Sequence, residues 1–137
     1  MRALTLLLLL LLAACATSRP ARLYDALGGA SGVERLVDAL STEYHADPVL
    51  GPLFADADRD YFKARLREQI CAISDGGCEY TGLSMEEAHS GMDLSEADFN
   101  IFVAASRRAM TRAEFPIGVQ NRLLARLAPM REDVIHQ

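Results

Sequence analysis

The sequence is short of basic charge: 14 lysines and arginines stand against 19 aspartates and glutamates, a net charge of −5. Nucleic-acid binding depends on basic patches, and this balance argues against it. No glycine-rich phosphate loop, G-x-S-x-G elbow or H-E-x-x-H helix is present, which removes three common routes to phosphate, ester and zinc chemistry. The acidic residues are scattered over predicted solvent faces, without the pairing that carboxylate catalysis needs. There is no internal repeat. No segment alternates apolar and polar residues as a half-buried strand would, so nothing points to a sheet.

What is present begins at the N-terminus. Arg2 is followed by an unbroken apolar run from Leu6 to Ala14. The run falls short of the ~20 residues that cross a bilayer as a helix. A basic start, an apolar middle and a small-residue end make a secretory signal. Leu12-Ala13-Ala14-Cys15 resembles the lipobox of bacterial lipoproteins, which implies cleavage before Cys15 and acylation of its thiol. Residues 1–14 are therefore expected to leave as a signal peptide. Residues 15–22, small, polar and proline-bearing, read as a tether, and residues 23–137 as one domain of common size. The expected location is outside the cytoplasm, on the periplasmic or exterior face of a membrane.

Cys71 and Cys78 remain once Cys15 is acylated. Export places them where a disulfide can persist, and Gly76-Gly77 between them permits a chain reversal. Spacing alone leaves a disulfide and two packed thiols equally open. Two thiols so spaced lack the further ligands that zinc takes.

From Leu23 on, apolar residues recur at helical spacing, and the expected class is all-α. Leu23–Leu27 is a short start stopped by Gly28-Gly29. Ser31 is placed to cap a second helix bearing the stripe Val33, Leu36, Val37, Leu40 and Tyr44. Asp47-Pro48 reads as a cap followed by a proline in the first turn, starting a brief helix through Phe54. Residues 55–60 read as a polar loop. Phe62, Leu66, Ile70 and Ile73 then share one face of a helix from about Tyr61 to Ile73. Ser84 and Glu87 form a capping box opening a helix of at most about two turns, which carries His89 and ends at Gly91. Ser95 and Asp98 open the next helix, with Leu94 and Phe99 as a hydrophobic staple, running through Phe102 to Ala113 before Pro116. A last helix carries Val119, Leu123, Leu127, Met130 and Val134, with Pro129 expected to bend it.

Three histidines are the main candidates for chemistry. His136 lies beside the C-terminus and reads as solvated. His45 ends its helix, where imidazolium favours the dipole. His89 stands on a short capped helix, with Met85 one turn earlier and Phe54, Phe62, Leu66, Phe99 and Phe102 on neighbouring elements. Spacing alone leaves it open between a packed core histidine and a metal ligand. A haem would need an apolar slot and one imidazole from a fixed direction.

The chain resembles the group I truncated haemoglobins, small globins with a two-over-two helical sandwich around a haem pocket. The likeness runs from about Leu23 to Ile135. It is carried by LYDALGG at 23–29, ADPVLGPLF at 46–54, QICAISDGGCEYTGLSMEEAHSGM at 69–92 and LLARLAPM at 123–130. It implies haem b with His89 as the iron's protein ligand. It places Phe54 against the haem, Phe62 and Leu66 on the distal helix, and Arg65 near a propionate. Tyr80 falls at the haem edge, and Met85 and Phe99 line the proximal wall, where Phe102 also lies.

Many members of that family carry a distal Phe-Tyr pair whose hydroxyl hydrogen-bonds oxygen. Here the matching residues are Leu40-Ser41. Ser41 is too short to reach a ligand except through water, so an apolar distal side and faster oxygen release are expected. Tyr44 leaning inward, or His45 approaching the iron, are the two alternatives. The implied function is reversible binding of oxygen, nitric oxide or carbon monoxide. A nitric oxide dioxygenase or peroxidase-like activity, fed by an external electron donor, is the alternative. A haem-free helical lipoprotein is the third.

Overall fold

A computed structural model describes residues 21–137. The signal segment, Cys15 and most of the tether lie outside the described residues. The described chain is helical throughout, as expected. Its elements are α1 (Leu23–Leu27), α2 (Gly29–Ala46), a 3-10 turn (Gly51–Phe54), α3 (Arg59–Ile73), α4 (Met85–His89), α5 (Glu96–Arg112), α6 (Ile117–Leu127) and a second 3-10 segment (Ala128–Asp133). Helix α2 is the hub. It packs against α3 on one side and α5 on the other, while α5 also meets α6. The pairs α2/α3 and α5/α6 make the two layers.

The α2 stripe is the core, as its spacing predicts. Val33, Leu36, Val37, Leu40 and Tyr44 are all buried, against Ile70 of α3 and Ala105, Ala109 and Met110 of α5. The small residues Ala105 and Ala109 let α5 approach α2 closely. A charged clamp holds the same pair of helices. Glu43, on α2 yet only 6% exposed, accepts from Arg108 Nε at 2.6 Å and from Arg112. Arg108 also reaches Asp47 at 2.8 Å. Removing one member would leave the Glu43 carboxylate buried without its full complement of partners.

Several boundaries differ from the sequence reading. Ser31 does not cap α2; Gly28 does, at φ 100°, a left-handed conformation that a side chain rarely adopts. The helix therefore starts three residues earlier than a cap at Ser31 would set. Asp47 ends α2 instead of starting a helix. Its carboxylate accepts from the Val49 and Leu50 N–H groups, and the helical turn begins only at Gly51. Helix α3 begins at Arg59, because Asp58 caps it by accepting from Asp60 N and Tyr61 N. The last helix does not run on to Val134. Pro129 has no N–H to donate, and the chain tightens into 3-10 geometry from Ala128.

Both predicted capping boxes are present. Ser84 and Glu87 exchange hydrogen bonds at the head of α4, and Ser95 and Asp98 at the head of α5. The Cys71–Cys78 pair, left open by sequence, is a disulfide with a Cα–Cα distance of 5.7 Å. It ties the loop before α4 to the side of α3.

Candidate functional site

His89 is the last residue of α4, a helix of only five residues. Such a helix is not stable by itself, so its position depends on its ends. The capping box fixes the head. At the other end, the N–H groups of Gly91 and Asp93 both donate to the Gln137 carbonyl at 3.1 Å, and His136 N–H donates to Leu94. The chain terminus is thus a strap across the segment that leaves His89. His136 itself lies beside Asp93 at the surface, at 3.5 Å.

The His89 Nδ1 lies 2.7 Å from the Met85 carbonyl. A carbonyl only accepts, so Nδ1 carries the proton, and in the neutral ring Nε2 keeps its lone pair free. Ring direction and tautomer are both set by a backbone group one turn back. That is the preparation a metal-ligating imidazole needs.

The aromatic candidates form one connected group that runs from α3 through Tyr44 of α2 to α5. Phe54 lies 5.1 Å from Phe62 and 5.9 Å from Tyr44, between ring centroids. Tyr44 lies 4.7 Å from Phe102, which leads on to Phe99 at 6.5 Å. Phe62, Leu66, Phe99 and Phe102 are only partly covered, although each points along the apolar side of its helix. Helix α4 buries none of its residues. A cleft, or slot, of about 220 Å³ lies between α3 and α4, lined by Gln69, Ile73, Tyr80, Met85 and Met130 among others. The cleft reaches the head of α4 and not His89 itself.

The slot's edge is polar, and sequence reading caught only part of it. Arg65 pairs with Glu68 at 2.8 Å, donates to the Thr81 hydroxyl and lies over the Tyr61 ring. Its Nε is buried without a partner. The Thr81 N–H and hydroxyl hold the Glu68 carboxyl below its ordinary range, assisted by the Arg65 charge. Tyr80 folds back over Gly82, where any Cβ would strike its phenol ring, and its hydroxyl donates to the Leu83 carbonyl at 2.8 Å. Partial burial pushes the Tyr80 phenol up. Glu68 and Thr81 were missed; the i, i+3 spacing of Arg65 and Glu68 was the available signal. Gln69 was missed too. Its amide N–H₂ reaches the Met85 sulfur at 3.1 Å and the Met130 sulfur at 3.6 Å, with nothing in the sequence to join them.

On the distal side, one expected alternative is excluded. Tyr44 does not lean into the slot. Its hydroxyl lies 2.8 Å from Ser106 Oγ, and Ser106 in turn donates to the Phe102 carbonyl. Burial pushes the Tyr44 phenol strongly upward, so it stays a neutral donor directed at α5. His45 has its Nδ1 2.7 Å from the Ser41 carbonyl and its ring 5.3 Å from Phe54. Ser41 is 2% exposed, and its hydroxyl has no partner.

These residues fit a haem. The donor is a single imidazole whose Nδ1 is engaged by the Met85 carbonyl, the walls are half-covered apolar side chains, and two buried polar atoms, Ser41 Oγ and Arg65 Nε, lack partners. Among the described residues no cluster of His, Cys, Asp or Glu could hold a bare metal ion.

The comparisons with known proteins agree. The family model described as bacterial-like globin matches residues 22–136. The group 1 truncated haemoglobin GlbN of Mycolicibacterium paratuberculosis is 26% identical over 117 residues, covering 85% of this chain and 86% of that protein. The truncated haemoglobin of Tetrahymena pyriformis in its Fe(III) form superposes with a TM-score of 0.80 at 22% identity, over 84% of this chain and 98% of that one. The 2/2 haemoglobin of a Synechococcus species, described in the cyanomet state with covalently attached haem, gives a TM-score of 0.78 at 21% identity, over 84% and 98%. With the family model spanning nearly all of the described residues and the helical fold matching, the chain belongs to the bacterial-like globin family.

Proposed function

We propose that this globin holds haem b between α3 and α4, with His89 Nε2 as the iron's protein ligand, and binds a diatomic gas on the opposite face. The observation that carries the assignment is the His89 Nδ1 to Met85 carbonyl hydrogen bond, which leaves Nε2 unprotonated and fixed in direction. Haem supplies an iron that takes a diatomic gas reversibly at its remaining coordination position.

The chain's own residues do the rest. Phe54, Phe62 and Leu66 form the wall on the gas side and exclude bulk water. Met85, Phe99 and Phe102 form the wall behind His89. Arg65 and Tyr80 stand at the edge, where Arg65 Nε is the donor left for a propionate. Gln69 ties the head of α4 to α3 through Met85. The expected outcome is a Soret band in the purified wild type that His89→Ala abolishes or shifts strongly, at unchanged helix content. A wild type that takes up no haem, or a variant with an unaltered spectrum, would overturn the assignment.

We also propose that the protein is an exported lipoprotein. Residues 1–14 would be removed, Cys15 acylated, and residues 15–22 would tether the globin to a membrane on its periplasmic or exterior face. The support is the lipobox-like Leu12-Ala13-Ala14-Cys15, together with the Cys71–Cys78 disulfide, a bond that persists in oxidising compartments. None of the described helices is long and apolar enough to cross a membrane, so attachment would fall to the lipid. Cys15→Ser should move the protein from the membrane to the soluble fraction. Unchanged fractionation would contradict the reading.

A further inference from the structure

We infer that Ser41 sets gas selectivity by holding one water molecule on the gas side of the haem, in place of a direct side-chain donor. The inference rests on the haem reading above.

Three serines are buried in or at the end of helices. Ser74 is 0% exposed, and Ser41 and Ser106 are 2% exposed. Two of them satisfy their hydroxyls on the carbonyl one turn back: Ser74 on Ile70 and Ser106 on Phe102. That bond is the default for a helical serine. Ser41 alone does not make it, and its hydroxyl has no partner at all. Buried hydroxyls are almost always paired in folded proteins, and an exception points to a water or ligand at the site.

The neighbouring group supplies the second anchor. His45 is one turn beyond Ser41 on the same face of α2. Its Nδ1 donates to the Ser41 carbonyl, and in that tautomer Nε2 is the acceptor nitrogen. Among the described residues that Nε2 has no hydrogen-bond partner. An unpaired hydroxyl and an unpaired acceptor thus belong to residues one turn apart, and the acceptor's ring lies beside the Phe54 and Phe62 rings. A buried water needs two to four polar partners. This one accepts from Ser41 Oγ and donates to His45 Nε2. Its second hydrogen is then directed at the gas.

Among the described residues the other donors here are already engaged: the Gln69 amide on α3 reaches the Met85 and Met130 sulfurs. Tyr44 is engaged with Ser106, and Phe62 and Leu66 have no polar atom. The other unpaired buried donor, Arg65 Nε, sits beside Glu68 and Thr81 at the edge. Ser41 is therefore a positioning residue. A gas that gathers negative charge on binding, as dioxygen does, gains from the water's hydrogen bond. Carbon monoxide gains little, so the arrangement selects for dioxygen.

The test uses the haem-loaded full chain with Ser41→Ala and Ser41→Thr. Oxygen dissociation should rise about tenfold in Ser41→Ala, the lower end for hydrogen bonds to charged groups. Carbon monoxide dissociation should change less than about twofold, and the infrared stretch of bound carbon monoxide should move to higher frequency. Ser41→Thr should restore the wild-type values. Equal acceleration of both gases, or an unmoved stretch, would overturn the inference. A second readout needs no haem. In the haem-free chain Ser41→Ala should leave the melting temperature unchanged or raise it, because an unpaired hydroxyl is removed. A clear fall would mean that the hydroxyl is bonded within the protein, and would overturn the inference as well. Failure of the haem reading itself would show separately, as a wild type without a Soret band.

Discussion

Replacing Cys78 by serine isolates what the disulfide contributes. Cys71 is 4% exposed, so changing it would also disturb the core. Cys78 lies on the exposed loop, so Cys78→Ser removes the cross-link and little else. The bond closes a ring of about eight residues, seven apart in sequence. Chain-entropy arithmetic for a ring of that size gives a loss of about 2.5 kcal/mol at 25 °C. For a domain of this length that corresponds to a fall in Tm of about 8–12 °C. The assay is thermal unfolding of the haem-free chain by circular dichroism, wild type against variant, with and without a dithiol reductant. The reductant should lower the wild type to the variant's Tm and leave the variant unmoved. Equal melting temperatures under oxidising conditions would refute the reasoning.

Two further perturbations probe the site's supports. Tyr44→Phe should lower stability by about 1 kcal/mol, because Ser106 keeps its bond to Phe102. It should leave gas release unchanged, since the lost hydroxyl points at α5; a change in oxygen dissociation would place that hydroxyl in the slot after all. Ser84→Ala should cost about 1 kcal/mol through loss of the α4 cap, and weaken haem retention because His89 rides on that helix. The same cap gives a pH signature. Ser84 holds the Glu87 carboxyl below its ordinary range, so the stabilisation is complete above about pH 4.5 and is lost as pH falls through the depressed folded value. The Ser84 backbone N–H makes the larger part of that hold and survives Ser84→Ala, so the comparison is with Glu87→Gln: acid titrations of wild type and Glu87→Gln should converge once pH falls below the depressed folded value. Curves that stay parallel into acid would remove Glu87 from the account.

Local rules read correctly wherever a feature depends on neighbours in sequence. The apolar stripe of α2, both capping boxes and the short platform of His89 are set by side chains three or four residues apart, and all are present. The errors at Ser31, Asp47 and Pro129 are also local. In each, a backbone preference — left-handed glycine, an aspartate turn, a missing N–H — outweighed the simpler cap or period. The resemblance named the family and the fold, and the match of the bacterial-like globin model to residues 22–136 agrees with it.

Features that join distant segments were settled only by packing. Tyr44 and His45 were equal candidates for the gas side until Ser106, on another helix, took the Tyr44 hydroxyl. The cysteine pair was undecided until the loop's return brought the two Cα atoms within bridging range. Glu43, on a helix face that reads as polar, became a buried charge because Arg108 and Arg112 of α5 meet it there. Ser41 looks unremarkable in sequence; only its burial in the folded chain shows that its hydroxyl lacks a partner. Sequence by itself determined the helices and their apolar faces, because those follow from the intrinsic period of the chain. Tertiary structure decided which polar groups are satisfied and which are left unpaired, because satisfaction depends on what arrives from across the fold.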